Sequence, residues 1–435
     1  MLLLAAFACP VALHAQDTVR CEIAARAFVK AMAERRFDDC VAMFDSTMKA
    51  VMPVAKVEEM WDAVQKQAGR FREQQGLRYQ RYGNYDIMLV TCRFEGNPLD
   101  ARVVFNQAGK IAGLFFVPSQ PAVAYSTPTY ANREAFREEE VTVGSGRWSL
   151  RGTLTLPANK ANAPAIVLVH GSGPNDRDET IGPNKPFKDL AWGLATRGVA
   201  VLRYEKRTRE YANDMSALRG TLTVKDETID DALEAVALLR RRTEIDPSRI
   251  YVLGHSLGGM LVPRIGMRDQ RIAGFIILAG ATRPLEDVIV EQLTYLFGLD
   301  GVVDEQEQKR LEEAKKQRER IKALTPADIG SAGPFFAAPA SYWLDLKGYD
   351  PPALATKLTV PVLIMQGGRD YQVTKADFDR WRSALKNKTN VTFSLYPTLN
   401  HLFITGEMQS TPSEYDRAGH VSEEVLTDIV RWLKR

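Results

Sequence analysis

The stretch YVLGHSLGGM, residues 251–260, decides how this chain reads. Ile250 to Leu253 is a short apolar run, as expected of a buried strand. Leu257 to Arg264 continues as a helix start, with Pro263 near its first turns. Between them stands Ser256 in the pattern G-x-S-x-G. A serine on a strained strand-to-helix turn needs small neighbours, and Gly254 and Gly258 leave the backbone room to bend. The amides at the helix start, that of Leu257 among them, point towards developing negative charge.

A serine hydroxyl is a poor nucleophile without a base. The chain holds five histidines: His14, His170, His255, His401 and His420. His255 adjoins Ser256, but neighbours on such a turn direct their side chains apart, so it is not placed to accept the serine proton. His170 opens His-Gly-Ser-Gly directly after the apolar strand 165–169. That position suits an oxyanion loop, in which Gly171, Ser172 and Gly173 let backbone amides approach.

Two later strand ends offer an acid and a base. The strand 360–366 runs into Gly-Gly-Arg-Asp and places Asp370 at its carboxyl end, where ligand sites of parallel sheets form. The strand 391–396 is followed by Pro-Thr-Leu-Asn-His and places His401 likewise. In that order His401 takes the Ser256 proton, while Asp370 orients the imidazole and stabilises its cation. His420, before the last helix, is the rival base, further from any strand end. Asp377 and Asp379 fall in the next helical pattern and read as surface groups.

Outward from the serine, apolar runs at 165–169, 199–203, 250–254, 274–279, 360–366 and 391–396 alternate with helical patterns, clearest over 228–241. Near-continuous apolar strands are those buried on both faces, so a doubly wound, mostly parallel sheet is expected. A hairpin at 140–143 and 149–156 raises the number of strands to about eight. The core then spans 137–284 and 350–435, interrupted by a cap insertion over 285–349. In the cap, 285–297 reads as an apolar helix and 304–322 as a solvated, charge-paired one. The segment SAGPFFAAPASYW, 331–343, either lines a substrate pocket or docks the insertion.

Residues 16–118 form a separate α+β block. Helices at 19–33, 37–44 and 56–68 precede strands at 77–82, 85–94, 101–105 and 111–117. Residues 119–136, beginning in the Pro- and Ser-rich PSQPAVAYSTP (118–128), read as a linker. The first fifteen residues, MLLLAAFACPVALHA, have no charged side chain and stop before Gln16-Asp17. They read as a secretory signal peptide without its basic start, so export, secreted or periplasmic, is expected. Cys9 after Ala8 is the alternative, as a lipid-attachment site. Cys21, Cys40 and Cys92 would remain, an odd number that permits one disulfide or three buried thiols.

With 57 basic and 54 acidic residues interspersed, the net charge is +3. That balance gives no footprint for nucleic acid or another polyanion. No later run reaches the roughly 18 apolar residues of a membrane span. The cysteine spacings match no zinc pattern, so no metal and no organic cofactor are expected.

Residues from about 140 to 435 resemble an α/β-hydrolase of the bacterial carboxylesterase type, related to dienelactone-hydrolase and prolyl-oligopeptidase-like catalytic domains. The motifs carrying this are HGSGP (170–174), GHSLGG (254–259), GGRDYQV (367–373) and LNHLF (399–403). The element order of the first block resembles NTF2-like domains. The resemblance implies a Ser256–His401–Asp370 triad, with oxyanion donors from the backbone of Leu257 and Ser172. It implies hydrolysis of a short- to medium-chain ester of a small molecule through an acyl-serine. A peptidase or aminopeptidase on the same fold is the alternative, with small-ligand binding or dimerisation for residues 16–118. One departure stands out. Such enzymes often carry Asp-Lys-Arg-Gly after the fourth strand, where this chain has Glu205-Lys206-Arg207-Thr208, so the turn there is expected to differ.

Overall fold

A computed structural model describes residues 10–82, 85–119, 125–158, 160–211, 214–215, 220–336 and 338–435. The chain divides after residue 123 into two units. Most of the expected signal segment, with Cys9, lies outside the described residues. The first helix, Pro10–Ala33, begins ahead of the expected cleavage point after Ala15 and runs through it.

In the first unit, three further helices precede an antiparallel sheet in the order β1 (Phe71–Tyr82), β2 (Tyr85–Phe94), β3 (Leu99–Phe105) and β4 (Ile111–Pro118). Phe28, Met32, Trp61, Met88, Val90 and Phe105 share its core. β1 starts six residues before the expected boundary at Leu77. Its register slips between Gln74 and Leu77, and an irregular polar start hides the period-two alternation. Cys21, Cys40 and Cys92 are buried, and Cys40 and Cys92 are free thiols. Burial pushes the Cys40 and Cys92 thiols up to about 12.

The second unit is built on an eight-stranded sheet in the order β12-β11-β10-β9-β7-β8-β6-β5. The hairpin β5 (Phe136–Val143) and β6 (Leu150–Pro157) is its antiparallel edge. β7 (Ala163–Val169), β8 (Ala200–Tyr204), β9 (Ile245–His255), β10 (Gly274–Leu278), β11 (Val362–Gly367) and β12 (Val391–Tyr396) run parallel. Every residue of β7, β8, β10 and β11 is buried, the mark of strands covered by helices on both faces. From β7 the chain steps outward to β8, then returns to β9 on the other side. The gap between β7 and β9 is therefore the topological switch point, where ligands bind in open α/β sheets.

The expected linker is shorter than 119–136. Tyr125 donates its hydroxyl to Asp189 at 2.7 Å, Arg133–Ala135 form a helical turn, and Phe136 already opens β5. The Tyr125–Asp189 contact spans 64 residues of sequence, which local composition does not register. In the cap, Leu285–Phe297 and Glu305–Ala323 are helices, and Asp304 caps the second. Phe335 and Trp343 are buried with Ile321 and Leu324 inside the insertion, whereas Tyr342 and Leu346 join the main core and dock it.

Asp377, expected at the surface, is fully buried. It accepts the amide and hydroxyl of Thr282 at 2.8 and 2.7 Å and pairs with Arg283 at 2.7 Å. It thereby fixes the entry to the cap. Asp379 is exposed and pairs with Lys375. Removing one partner of a buried pair strands the other, so Asp377→Ala should lower stability by about 3 kcal/mol, measured from urea unfolding. An unchanged midpoint would mean that the pairing carries no net stability.

Candidate active site

β9 delivers His255 and Ser256. The amide of Ser256 donates to the Leu278 carbonyl at 2.9 Å, so the sheet ladder holds the backbone of this serine. Ser256 adopts φ 52°, ψ −116°, in the left-handed half of conformational space. The helix Leu257–Arg268 begins at the next residue, so the Leu257 amide has no intrahelical acceptor. Gly258 explains how close the turn comes to β7: a Cβ there would stand 2.3 Å from the Val169 carbonyl oxygen. A Cβ on Gly171 would lie 3.1 Å from that of Ser256. The loop after β7 is thus pressed against the serine.

The loops after β11 and β12 meet. Nδ1 of His401 lies 2.7 Å from Oδ2 of Asp370, and both residues are buried. The other carboxylate oxygen of Asp370 accepts the amides of Gln372 and Val373 at 2.7 and 3.0 Å. Gln366 adds a donor to Oδ2 at 3.2 Å. The acid is therefore fixed on every side, and it selects the His401 tautomer with the proton on Nδ1. Nε2 of His401 is left to act as a base. The His401 ring lies 4.6 Å from that of His255, the chain neighbour of Ser256.

His255 does not serve the serine. Its Nδ1 lies 2.9 Å from Glu179 and its Nε2 contacts the main-chain oxygen of His401 at 2.9 Å. The other oxygen of Glu179 accepts the Gly171 amide at 2.6 Å. One buried acid–imidazole pair thus joins the loop after β7 to the loop after β12. Burial opposes the His255 cation, but the charge and contact of Glu179, with help from the His401 carbonyl, raise its pKa above the ordinary value. Burial likewise opposes the Glu179 anion, but His255, His170 and the Gly171 amide hold its carboxyl below the usual range. Sequence reading missed Glu179, since nothing local marks one acid of Asp-Arg-Asp-Glu as buried.

His170 is fully buried, contacts the Asp176 carbonyl at 3.0 Å and is pushed down to about 4 by burial, so it is neutral near pH 7. Gly173 has φ 87°, which glycine tolerates. His420 pairs with Asp189 at 3.1 Å and contacts Ser126, which occupies both its ring nitrogens away from Asp370. A cavity of about 360 Å³ is lined by Glu291, Thr294 and Tyr295 of the cap helix 285–297, together with Tyr371, Thr374 and Gln409. Among the described residues, no group of three His, Cys, Asp or Glu side chains could hold a metal ion. No helix among them is long and apolar enough to cross a membrane.

Residues 166–422 match the alpha/beta hydrolase family, and residues 25–114 match a family described as a protein of unknown function, DUF3887. The chain is 41% identical over 406 residues to Esterase EstD of Thermotoga maritima, covering 93% of each. Among solved structures, Est1E from Butyrivibrio proteoclasticus is similar with a TM-score of 0.43 and 17% identity, over 68% of this chain and 99% of that one. An acylaminoacyl peptidase of Pyrococcus horikoshii gives 0.47 and 15%, over 84% and 56%.

The Glu179–His255 pair has a defined pH signature. The depressed Glu179 carboxyl contributes stability above its unfolded pKa, near 4.5, and loses it as pH falls through the lower folded value. The raised His255 contributes below its unfolded pKa, near 6.5, and loses it as pH rises through the higher folded value. The stability lost in Glu179→Gln, read from denaturant midpoints, should peak between about pH 4.5 and 6.5. A difference that does not vary with pH would contradict the pairing.

Proposed function

The chain belongs to the alpha/beta hydrolase family, and from that premise we propose that it is a serine carboxylesterase for short- to medium-chain acyl esters of small molecules. The observation that carries the reading is the buried His401–Asp370 contact at 2.7 Å, whose free ring nitrogen is the one base the serine loop has left. The other imidazoles nearby are engaged with Asp176 and Glu179.

The chemistry follows from these roles. Ser256 Oγ attacks the ester carbonyl carbon while Nε2 of His401 takes its proton. Asp370 holds the opposite nitrogen and stabilises the imidazolium. The carbonyl electrons move onto oxygen, and the oxyanion accepts hydrogen bonds from the amides of Leu257 and Ser172. Gly171 cannot be a third donor, because its amide is already bound to Glu179. As the tetrahedral adduct collapses, His401 passes its proton to the departing alkoxide and an alcohol leaves. Water, deprotonated by His401, then attacks the acyl-serine, and the acid is released as the Ser256 hydroxyl is restored.

The flanking parts enter the same proposal. The apolar segment 1–15 directs export to a secreted or periplasmic location, which supports reading the protein as a scavenger of external esters. Residues 16–118 form an NTF2-like module for a small ligand or for dimerisation, and a cavity of about 490 Å³ lined by Arg72, Gln75, Arg93 and Phe94 gives a ligand room. Sedimentation of the full chain distinguishes a dimer from a monomer.

Purified protein should turn over p-nitrophenyl acetate and butyrate, and Ser256→Ala should lose at least 10³-fold in kcat. Aminoacyl-p-nitroanilides should be cleaved far more slowly than the esters. Undiminished ester turnover by Ser256→Ala, or faster anilide than ester cleavage, would overturn the assignment.

A further inference from the structure

The segment Glu205-Lys206-Arg207-Thr208 is where the sequence departs from the expected Asp-Lys-Arg-Gly, and the esterase reading leaves it without a task. Its charged side chains are nevertheless buried: Glu205 and Arg207 are 8% exposed and Lys206 is 2% exposed. A lysine ammonium that deep is costly unless it is paired and hydrogen-bonded. Nζ of Lys206 lies 3.1 Å from Oε1 of Glu227 and donates to the Gly171 carbonyl at 2.7 Å. Glu227 sits in a single π turn, Lys225–Ile229, and its other oxygen accepts the Tyr342 hydroxyl of the cap at 3.0 Å.

The Gly171 carbonyl shares its peptide plane with the Ser172 amide. In a planar trans peptide the C=O and N–H point in opposite directions. Whatever holds the carbonyl therefore aims the amide. A cationic donor on the carbonyl also polarises the peptide and strengthens the opposite N–H as a donor. The preceding peptide is held as well, since the Gly171 amide donates to Glu179 at 2.6 Å. Gly171 itself has no side chain to stiffen it, and a Cβ there would crowd Ser256 and Glu179 at 3.1 and 3.2 Å. The loop must be glycine to approach the serine, so its rigidity has to come from outside.

We propose that Lys206 is a positioning residue for ester hydrolysis: through the Gly171 carbonyl it orients and polarises the Ser172 amide that binds the oxyanion. Asn175, whose side-chain amide also reaches the Gly171 carbonyl at 3.2 Å, is a secondary, uncharged support. Glu227 keeps the ammonium in place, and Tyr342 ties that acid to the cap. The departure Glu205-Lys206-Arg207-Thr208 is accommodated because Glu205 turns to Arg177 at 2.8 Å and Arg207 to Asp231. Of the three charged side chains, Lys206 is the one that reaches the Gly171 carbonyl. The inference rests on Ser256 being the nucleophile and Ser172 an oxyanion donor.

The test pairs Lys206→Met with the double variant Lys206→Met/Glu227→Gln, which removes the stranded carboxylate. An oxyanion donor acts mainly in the transition state, so kcat for p-nitrophenyl butyrate should fall by about 10–100-fold with KM within about twofold. Affinity for an alkyl trifluoromethyl ketone, which forms a tetrahedral adduct with the serine, should fall in parallel. A merely structural role would lower the active fraction and leave the kcat per titrated active site and the ketone affinity unchanged. Unchanged kcat and ketone affinity in either folded variant would overturn the proposal. A crystal structure of the unsubstituted protein with the ketone needs no variant to fold. It should show the adduct oxygen on the Ser172 amide while Nζ of Lys206 remains on the Gly171 carbonyl, and loss of either contact overturns the proposal. Undiminished ester turnover in Ser256→Ala would instead count against Ser256 as the nucleophile, the reading on which this proposal rests.

Discussion

The structure depends on how closely two backbones approach at the switch point between β7 and β9. Gly258, in the first turn of the helix after Ser256, leaves no room for a Cβ against the carbonyls of Val169 and His170. Gly254 is equally constrained, because a Cβ there would stand 2.3 Å from the Gly258 carbonyl oxygen. Only glycines allow the elbow to fold back on itself and lie against the end of β7 and the loop that follows it. Once that approach is made, Ser256 faces Gly171, and the acid and base need only arrive from the neighbouring strand ends.

Glycines that permit the approach also leave the loop soft. The structure offsets this with charged side chains withdrawn from water. Glu179 grips the Gly171 amide, Lys206 the Gly171 carbonyl, and His255 links Glu179 to the main chain of His401. Each of these charges meets an opposite partner or a hydrogen bond, as burial requires. The main chain beside Ser256 and at His401 is thus held by buried side chains from other elements. Through Glu179, Lys206, Glu227 and His255 the same few contacts connect the loops after β7 and β12 and the cap helix 340–346.

The parallel strands were legible because strands buried on both faces read as unbroken apolar runs. β10 and β11 fall within one or two residues of their expected bounds, and β12, a half-buried edge strand, matches 391–396 without being such a run. The site motifs were legible because each lies at the carboxyl end of a parallel strand. Glu179, Lys206, Glu227 and Asp377 were not. A charged residue reads as solvated unless its partner is known, and these partners stand tens of residues away or more, apart from Gly171 beside Glu179. Tyr125 to Ala135 resembled a linker for the same reason: their packing on the helix 186–196 is long-range, while composition is local. The aromatic cap segment stayed ambiguous in sequence because docking and pocket lining use the same residues.

The proposed nucleophile is Ser256, activated by His401. A fluorophosphonate reagent captures an activated serine covalently, and peptide mass spectrometry locates the adduct. The account predicts one phosphonyl group per chain, on the peptide carrying Ser256, with the labelling rate reduced by orders of magnitude in His401→Ala. A label on another serine, or undiminished labelling of Ser256 in His401→Ala, would contradict it.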